Sequence, residues 1–254
     1  MIQVARFEKI LEIVENKGYV SVNELEKILD VSRATIYRDL RDLNVQGKVN
    51  LTRGGISKIN PGNSFEMPYY QKQSYNIEEK IRIAKAALDF IKPNQTIYMD
   101  SSTTVTEMTG FMSEYKDIQV ITNDIKIASR LSGAKDLQVI MTGGILRHGF
   151  FTVSGLLTEQ NLDSLIMDVS FMSFDSISIS GGCMITNMEE VSVKKLGVKK
   201  GMQKILLCDH SKFEKFSFTR VCDITEIDVI ITGKELNDNI YKRYLDNEIN
   251  VLRV

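Results

Sequence analysis

The chain has 254 residues, 43% of them hydrophobic and 26% charged, with a formal net charge of −1. That composition excludes a disordered or fibrous protein, and the balanced charge gives no global sign of nucleic-acid binding, so charge has to be read locally. The length allows two domains of ordinary size, no apolar run approaches a membrane span, and the acidic, amphipathic N-terminus lacks a signal peptide's apolar core, so a cytoplasmic protein is expected.

Residues 3–16, "QVARFEKILEIVEN", place Phe7, Ile10, Leu11 and Val14 at helical spacing, and Lys17-Gly18 supplies a stop. A second helix is expected from Ser21, whose hydroxyl caps the first turn while Glu24 completes a capping box, with Leu25, Ile28 and Leu29 facing inward. The third begins at Ser32 in "VSRATIYRDLRDL", with Ile36, Leu40 and Leu43 as its core stripe. Three short helices, the second and third joined tightly around Asp30-Val31, read as a helix-turn-helix.

Local charge agrees with that reading. Residues 1–31 carry four Lys or Arg against six Asp or Glu, a balance of −2, whereas residues 32–58 carry six against two, a balance of +4. Ala34, Arg38 and Arg41 fall opposite the core stripe, flanked by Thr35 and Tyr37, and Ser32 and Arg33 open the helix; all seven are candidate DNA contacts. A recognition helix offers such a face to the major groove, where a guanidinium binds guanine through two hydrogen bonds and hydroxyls or methyls reach other base edges. "GKVNLTRGGI" follows as a short alternating pair of strands turning at Gly54-Gly55, a wing that brings Arg53 to the adjacent phosphates or the minor groove.

Helix and wing together resemble the DNA-binding end of the DeoR family of bacterial sugar-metabolism repressors. That family's helix reads S-x-x-T-I-R-R-D-L and its wing ends in H-G-G-A; here the matching stretches are "SRATIYRDL" and "RGGI", with Tyr37 and Arg53 as departures.

The stretch "INPGNSFEMPYYQKQSY" at 59–75 holds two of the three prolines and no clear period, so a linker is placed there between a head at 1–58 and a second domain at 76–254. Asn76 and Glu79 are expected to form a capping box for a helix whose Ile81, Ala84, Leu88 and Ile91 face a core. Strand patterns at 95–100, 118–122, 137–142, 167–173, 204–208 and 228–232 then alternate with helical ones near 103–113, 124–132, 156–165, 188–201 and 236–246. Such alternation predicts a mainly parallel α/β sheet, whose ligands bind beyond the carboxyl ends of the strands.

The residues just past those ends are "DSSTT" at 100–104, "TND" at 122–124, "TGGILR" at 142–147, "SFDS" at 173–176 and "CDHSKF" at 208–213. Asp100, Ser101, Ser102, Thr103, Thr104, Thr122, Asn123, Gly143, Gly144, Asp175 and Asp209, with Arg147 and Lys212 as nearby cations, are therefore the candidate ligand contacts. Small hydroxylic residues and free N–H groups suit an oxyanion. Each stretch also has a plain reading: hydroxyls after a strand often only cap the next helix, and a Gly-Gly pair can be only a turn. His148 and His210 are too few and too far apart for a metal site, and Cys183, Cys208 and Cys222 read as buried free thiols, so no metal or cofactor is expected.

The resemblance extends through this half. The DeoR effector domain, similar in fold to ribose-5-phosphate isomerase and coenzyme A transferases, shows D-S-G-T-T, T-N, G-G-x-x-R and D-H-S-K-F in this order. They stand here as "DSSTT", "TND", "GGILR" and "DHSKF", with Glu190 at the family's acidic helix position and with Ser102 and Ser176 replacing glycines. The resemblance implies that Asp100, Thr103, Thr104, Asn123, Gly143, Gly144 and Lys212 bind a phosphorylated sugar. It also implies a non-enzymatic, homo-oligomeric repressor of a carbohydrate operon, with operator DNA and the sugar phosphate as partners. Two alternatives stay open on the residues themselves: an isomerase using Asp100, Asp175 or Glu190 as base, and a DNA-binding activator with a vestigial pocket.

Overall fold

A computed structural model describes every residue except 1, 47, 53, 59–61 and 65, so Arg53 lies outside the described residues. They form two compact units, Met1–Gly62 and Asn63–Val254.

In the first unit α1 (Gln3–Lys17), β1 (Tyr19–Ser21), α2 (Val22–Leu29) and α3 (Arg33–Val45) lead into the hairpin β2 (Val49–Thr52) and β3 (Gly55–Lys58). The strand order is β1-β3-β2, so the wing expected as a two-stranded ribbon gains a third strand from the chain before α2. Ile10, Val14, Leu25, Ile36, Leu40 and Leu43 fill the core, each contributing roughly 1.5–3 kcal/mol on burial. Ser21 and Glu24 form the expected capping box, and Asp30 takes the left-handed conformation (φ 51°) that turns the chain from α2 to α3. Ile28, expected inside, is 46% exposed, because α2 turns only Val22, Leu25 and Leu29 inward over its eight residues. The α3 carboxylate of Asp39 is buried and held by Arg6 of α1 at 2.6 and 3.0 Å, which pins the third helix against the first.

The second unit starts with a short helix inside the expected linker, α4 (Tyr69–Ser74), followed by α5 (Ile77–Ala87). The alternation then runs β4 (Thr96–Met99), α6 (Thr103–Met108), β5 (Ile118–Thr122), α7 (Ile125–Leu131) and β6 (Leu137–Met141). A hairpin, β7 (Ile145–Leu146) and β8 (Val153–Ser154), precedes α8 (Leu156–Asp163) and β9 (Met167–Met172). Next come β10 (Ser176–Ser178), β11 (Gly182–Ile185), α9 (Val191–Lys200), β12 (Gly201–Leu207), β13 (Thr219–Cys222), β14 (Val229–Thr232), α10 (Asp238–Asp246) and β15 (Val251–Arg253).

Seven strands form one sheet in the order β15-β14-β12-β9-β4-β5-β6, parallel throughout, with one apolar cluster centred on Tyr98 and Phe174 and another on Ile97 and Phe171. Its five inner strands and the edge strand β6 match the apolar runs of the sequence; the other edge strand, β15, is too short to stand out. The small antiparallel sheet β10-β11-β13 and the β7-β8 hairpin also lie outside what the alternation predicted.

The start of α5 departs from expectation. Asn76 sits at φ 53° and makes no cap; its amide donates to Asp209 at 2.9 Å, and Glu79 accepts from the backbone N–H groups of His210 (2.7 Å) and Gly233 (3.2 Å). Strand-end loops thus outcompete the local box for both side chains. Ile81 is 38% exposed, and Ile83, Ala84 and Ala87 are the fully buried positions.

Candidate functional site

On α3 the face opposite the core is open. Ala34, Arg38 and Arg41 are exposed, Thr35 and Tyr37 half-buried, and neither Arg38 nor Arg41 has an ion-pair partner among the described residues. Ser32 caps the helix by accepting from the Thr35 N–H at 3.4 Å. Arg33 is differently placed: it donates to Asn23 at 2.9 Å, lies 3.6 Å from Glu26 and sits 5.9 Å from the Tyr37 ring, which ties α3 to α2. Two guanidiniums without internal partners, on a helix held rigid by the Asp39 to Arg6 pair, are what a nucleic-acid surface requires.

In the second unit the parallel sheet brings the ends of β4, β5, β6, β9 and β12 to one edge. Asp100, just past β4, is fully buried; Oδ2 pairs with the Lys194 ammonium of α9 and accepts the Ser173 N–H at 3.2 Å. Oδ1 has no partner. Burial pushes the Asp100 carboxyl up against the opposing pull of Lys194. The same burial disfavours the Lys194 ammonium, but Asp100 and Glu190 outweigh it and hold Lys194 above the usual lysine range.

Cations and carboxylates alternate outward from this pair. Arg147 donates to Glu190 at 2.7 Å and to both oxygens of Glu66, with its guanidinium 3.9 Å from the centre of the Phe150 ring. Lys72 reaches Glu66 at 3.1 Å and Asp175 at 2.8 Å. Although the burial of Asp175 favours its neutral form, Lys72 and Lys212 hold its carboxyl well below the ordinary range. Asp209 accepts from Asn76 and from the N–H and hydroxyl of Ser211 on Oδ1, while its buried Oδ2 has no hydrogen-bond partner among the described residues. Lys80, buried beside it, is pushed down to about 8 by burial, partly offset by Asp209. A cleft of about 600 Å³, lined by Ile145, Leu146, Arg147, His148, Ser154, Gly155 and Glu189, opens beside Arg147.

The remaining residues expected here are committed to the protein itself. Asn123 accepts from the Tyr98 hydroxyl (2.9 Å) and the Ser101 N–H (3.1 Å) and donates to Thr152 and Val153; Thr122 donates to the Met99 carbonyl. Ser101 donates to Asp124 at 2.6 Å, and Ser102 caps α6 by accepting from Thr104 and Val105. Thr103 and Thr104 occupy the first turn of α6. Ser176 donates to Ser217 at 2.8 Å. Gly144 has φ 128°, and a Cβ there would lie 2.1 Å from the Thr158 hydroxyl and 2.6 Å from the Ser154 carbonyl, so the Gly143-Gly144 turn sets the course of the hairpin that carries Arg147.

Glu66, Lys72, Lys80 and Lys194 were missed in the sequence, because Glu66 and Lys72 fall in the stretch expected as linker and Lys80 and Lys194 in expected helices, away from the strand ends. One signal was available for Lys194, which lies one helical turn past Glu190 and between the buried Val193 and Val198. Glu79, Asp209 and His210 also meet, with one potential ligand atom each within 4.8 Å of one another. Each is engaged as a hydrogen-bonding group: His210 Nδ1 lies 2.7 Å from Glu79, and Asp209 faces Lys80 and Lys212.

Comparison with known proteins bears on both units. Residues 6–61 match the DeoR-like helix-turn-helix domain and residues 75–234 the DeoR C terminal sensor domain. The chain is 31% identical over 246 residues to the HTH-type transcriptional regulator GolR of Listeria innocua, covering 97% of this chain and 96% of that protein. It is 28% identical over 251 residues to the glycerol-3-phosphate regulon repressor of Escherichia coli, covering 99% of each. Among solved structures, ribose 5-phosphate isomerase from Plasmodium falciparum aligns with a TM-score of 0.39 and 16% identity over 53% of this chain and 52% of that one. With an open-faced recognition helix in the first unit, a parallel sheet ringed by paired charges in the second, and family matches across both, the chain belongs to the DeoR family of DNA-binding transcriptional regulators.

Proposed function

We propose that the protein represses a carbohydrate catabolism operon and that a phosphorylated sugar intermediate sets its affinity for the operator. One observation carries this reading. Lys72, Lys80, Lys194, Lys212 and Arg147 gather beyond the carboxyl ends of the sheet among carboxylates, and two of these, Asp100 and Asp209, keep a buried oxygen that no group among the described residues satisfies. The cations suit a phosphate, and the unsatisfied carboxylate oxygens suit the hydroxyl donors of a sugar. The likeness to the glycerol-3-phosphate regulon repressor of Escherichia coli supports the carbohydrate setting.

In this reading residues 1–58 are the head, 59–75 the connection and 76–254 the sensor. Ala34, Thr35, Tyr37, Arg38 and Arg41 contact DNA with Arg53 on the backbone, while Ser32 and Arg33 hold the helix. Asp100, Asp175, Glu190, Asp209, Arg147 and Lys212 contact the effector directly. Ser101 to Thr104, Thr122, Asn123, Gly143 and Gly144 shape the walls around it. A dimer or tetramer of the sensor spaces two heads over operator repeats. The carboxylates weighed as isomerase bases are tied up, Asp100 by Lys194, Asp175 by Lys72 and Glu190 by Arg147, and the site works by binding.

Fluorescence anisotropy of a labelled duplex from the gene's own upstream region, at fixed salt, with and without a panel of sugar phosphates, tests the proposal. One phosphorylated sugar should shift the specific affinity while its unphosphorylated form does not. Tight DNA binding that no compound moves would reject the sensor role and leave a DNA binder with a vestigial pocket.

A further inference from the structure

Two members of the charge cluster, Glu66 and Lys72, come from the stretch that follows the head in the chain. Glu66 lies in a segment without helix or strand, just before α4, yet its side chain is only 15% exposed. Its carboxylate accepts from both terminal nitrogens of Arg147 and from Lys72 at 3.1 Å. Fork-on-fork pairing of this kind is the way arginine grips either a carboxylate or a phosphate. Arg147 and Lys72 have anchors besides Glu66: Glu190 and the Phe150 ring for the first, Asp175 for the second. The fork therefore keeps its shape when Glu66 leaves. The same segment is tied at a second point, where the Lys80 ammonium donates to the Lys72 carbonyl.

We propose that Glu66 is a tethered mimic of the effector's anionic group: it fills the Arg147 and Lys72 fork in the ligand-free chain, and a phosphomonoester dianion displaces it and releases residues 63–74. This rests on the effector reading above and adds to it which cations take the phosphate and how occupancy reaches the segment next to the head. A phosphomonoester brings up to two charges and three acceptor oxygens against one charge and two oxygens for Glu66, so exchange favours the ligand even though Glu66 is held close by the chain. A ligand that occupies the fork has differential affinity for the released state, and that difference is what coupling to DNA requires.

Hydrogen–deuterium exchange of the full chain tests the proposal, with inorganic phosphate and glucose 6-phosphate as probes and gluconate and chloride as controls at matched ionic strength. Isothermal titration of the same probes supplies affinities for the wild type, Glu66→Gln and Glu189→Gln. Glu189 lines the cleft beside Arg147, and its substitution makes the same change in charge without touching the fork. Either phosphate probe should accelerate exchange in residues 63–74 of the wild type, and gluconate should not. Glu66→Gln should exchange fast there without ligand and bind phosphate about tenfold more tightly, the factor for a competitor that occupies the fork about nine-tenths of the time. Glu189→Gln should stay within about twofold of wild type.

Phosphate binding with unchanged protection of 63–74 would overturn the proposal, as would equal tightening by Glu66→Gln and Glu189→Gln; either result leaves the sensor reading intact. Failure of both probes to bind wild type and Glu66→Gln would overturn this proposal, while the anisotropy panel decides the sensor reading separately. Acceleration by gluconate as strong as by phosphate would make the displacing group a carboxylate and overturn the phosphate assignment. The wild-type exchange experiment decides the matter even where a variant fails to fold.

Discussion

Replacing Lys194 with methionine removes the cation from the most deeply buried pair of the site. Lys194 is 4% exposed, and its ammonium donates to Asp100 Oδ2 and, at 2.9 Å, to the Ser173 carbonyl. Methionine fills the same space and leaves a buried carboxylate without its counter-charge and a carbonyl without its donor. Breaking a buried pair from one side costs about 3–5 kcal/mol. Asp100 recovers part of that by taking up a proton, which burial already favours, so the expected loss is about 3 kcal/mol, or about 6–12 °C in the melting temperature of a unit of this size. Adding Asp100→Asn removes the stranded charge while an amide oxygen still accepts from Ser173, and the double variant should return to within about 1 kcal/mol of wild type. Urea unfolding followed by circular dichroism measures all four corners of the cycle. A single variant as stable as wild type, or a double variant as unstable as the sum of its parts, would refute the view that this pair is a buried, mutually dependent unit.

Other substitutions probe the hairpin, the titration of the site and the head. Gly144→Ala should lose about 1–3 kcal/mol in urea and weaken the effector response, because the new methyl meets the Thr158 hydroxyl and Ser154 carbonyl and moves the strand leading to Arg147. Lys80 titrates near 8, below the ordinary lysine value, and an anion beside it favours its charged form. Phosphate binding at pH 8 should therefore take up protons, and affinity should fall as pH rises through that point; heats independent of buffer ionisation would place Lys80 outside the site. Arg38→Ala should cost about 1–3 kcal/mol of operator affinity and relax preference at one base position, read by anisotropy against single-base operator variants; unchanged affinity would remove Arg38 from base contact.

Much of this was legible in the sequence because it depended on short-range periodicity. The apolar runs beginning at Ile97, Ile118, Met167 and Val229 are buried strands, the one beginning at Leu137 is a partly exposed edge strand, and the Ile36, Leu40, Leu43 spacing is the inner face of α3. Distance in sequence hid the rest. Nothing local ties Glu66 to Arg147 or Asp100 to Lys194, 81 and 94 residues apart; each pair joins separate elements, the segment before α4 to the stretch after β7 and the end of β4 to α9. Local rules failed where distant partners bid higher. Asn76 and Glu79 have the spacing of a capping box, but the Asp209 carboxylate and the N–H groups of His210 and Gly233 take both side chains. Likewise "DSSTT" supports both a cap and a site: Ser102 caps α6 while Asp100, two residues earlier, enters the charge cluster.

The strand order has a consequence for synthesis. The core of the head, from Ile10 to Ile56, is complete once about a quarter of the chain has been made, whereas β4 must wait for β9, some 70 residues later, to gain its inner neighbour. Contacts this far apart form slowly, and domains fold as they emerge. A nascent chain therefore carries a finished DNA-reading helix before any sensor exists to govern it. Fragments ending ahead of β9 that escape degradation would occupy DNA through a lone head without regard to metabolite, so the control of this protein depends on the late strands being finished.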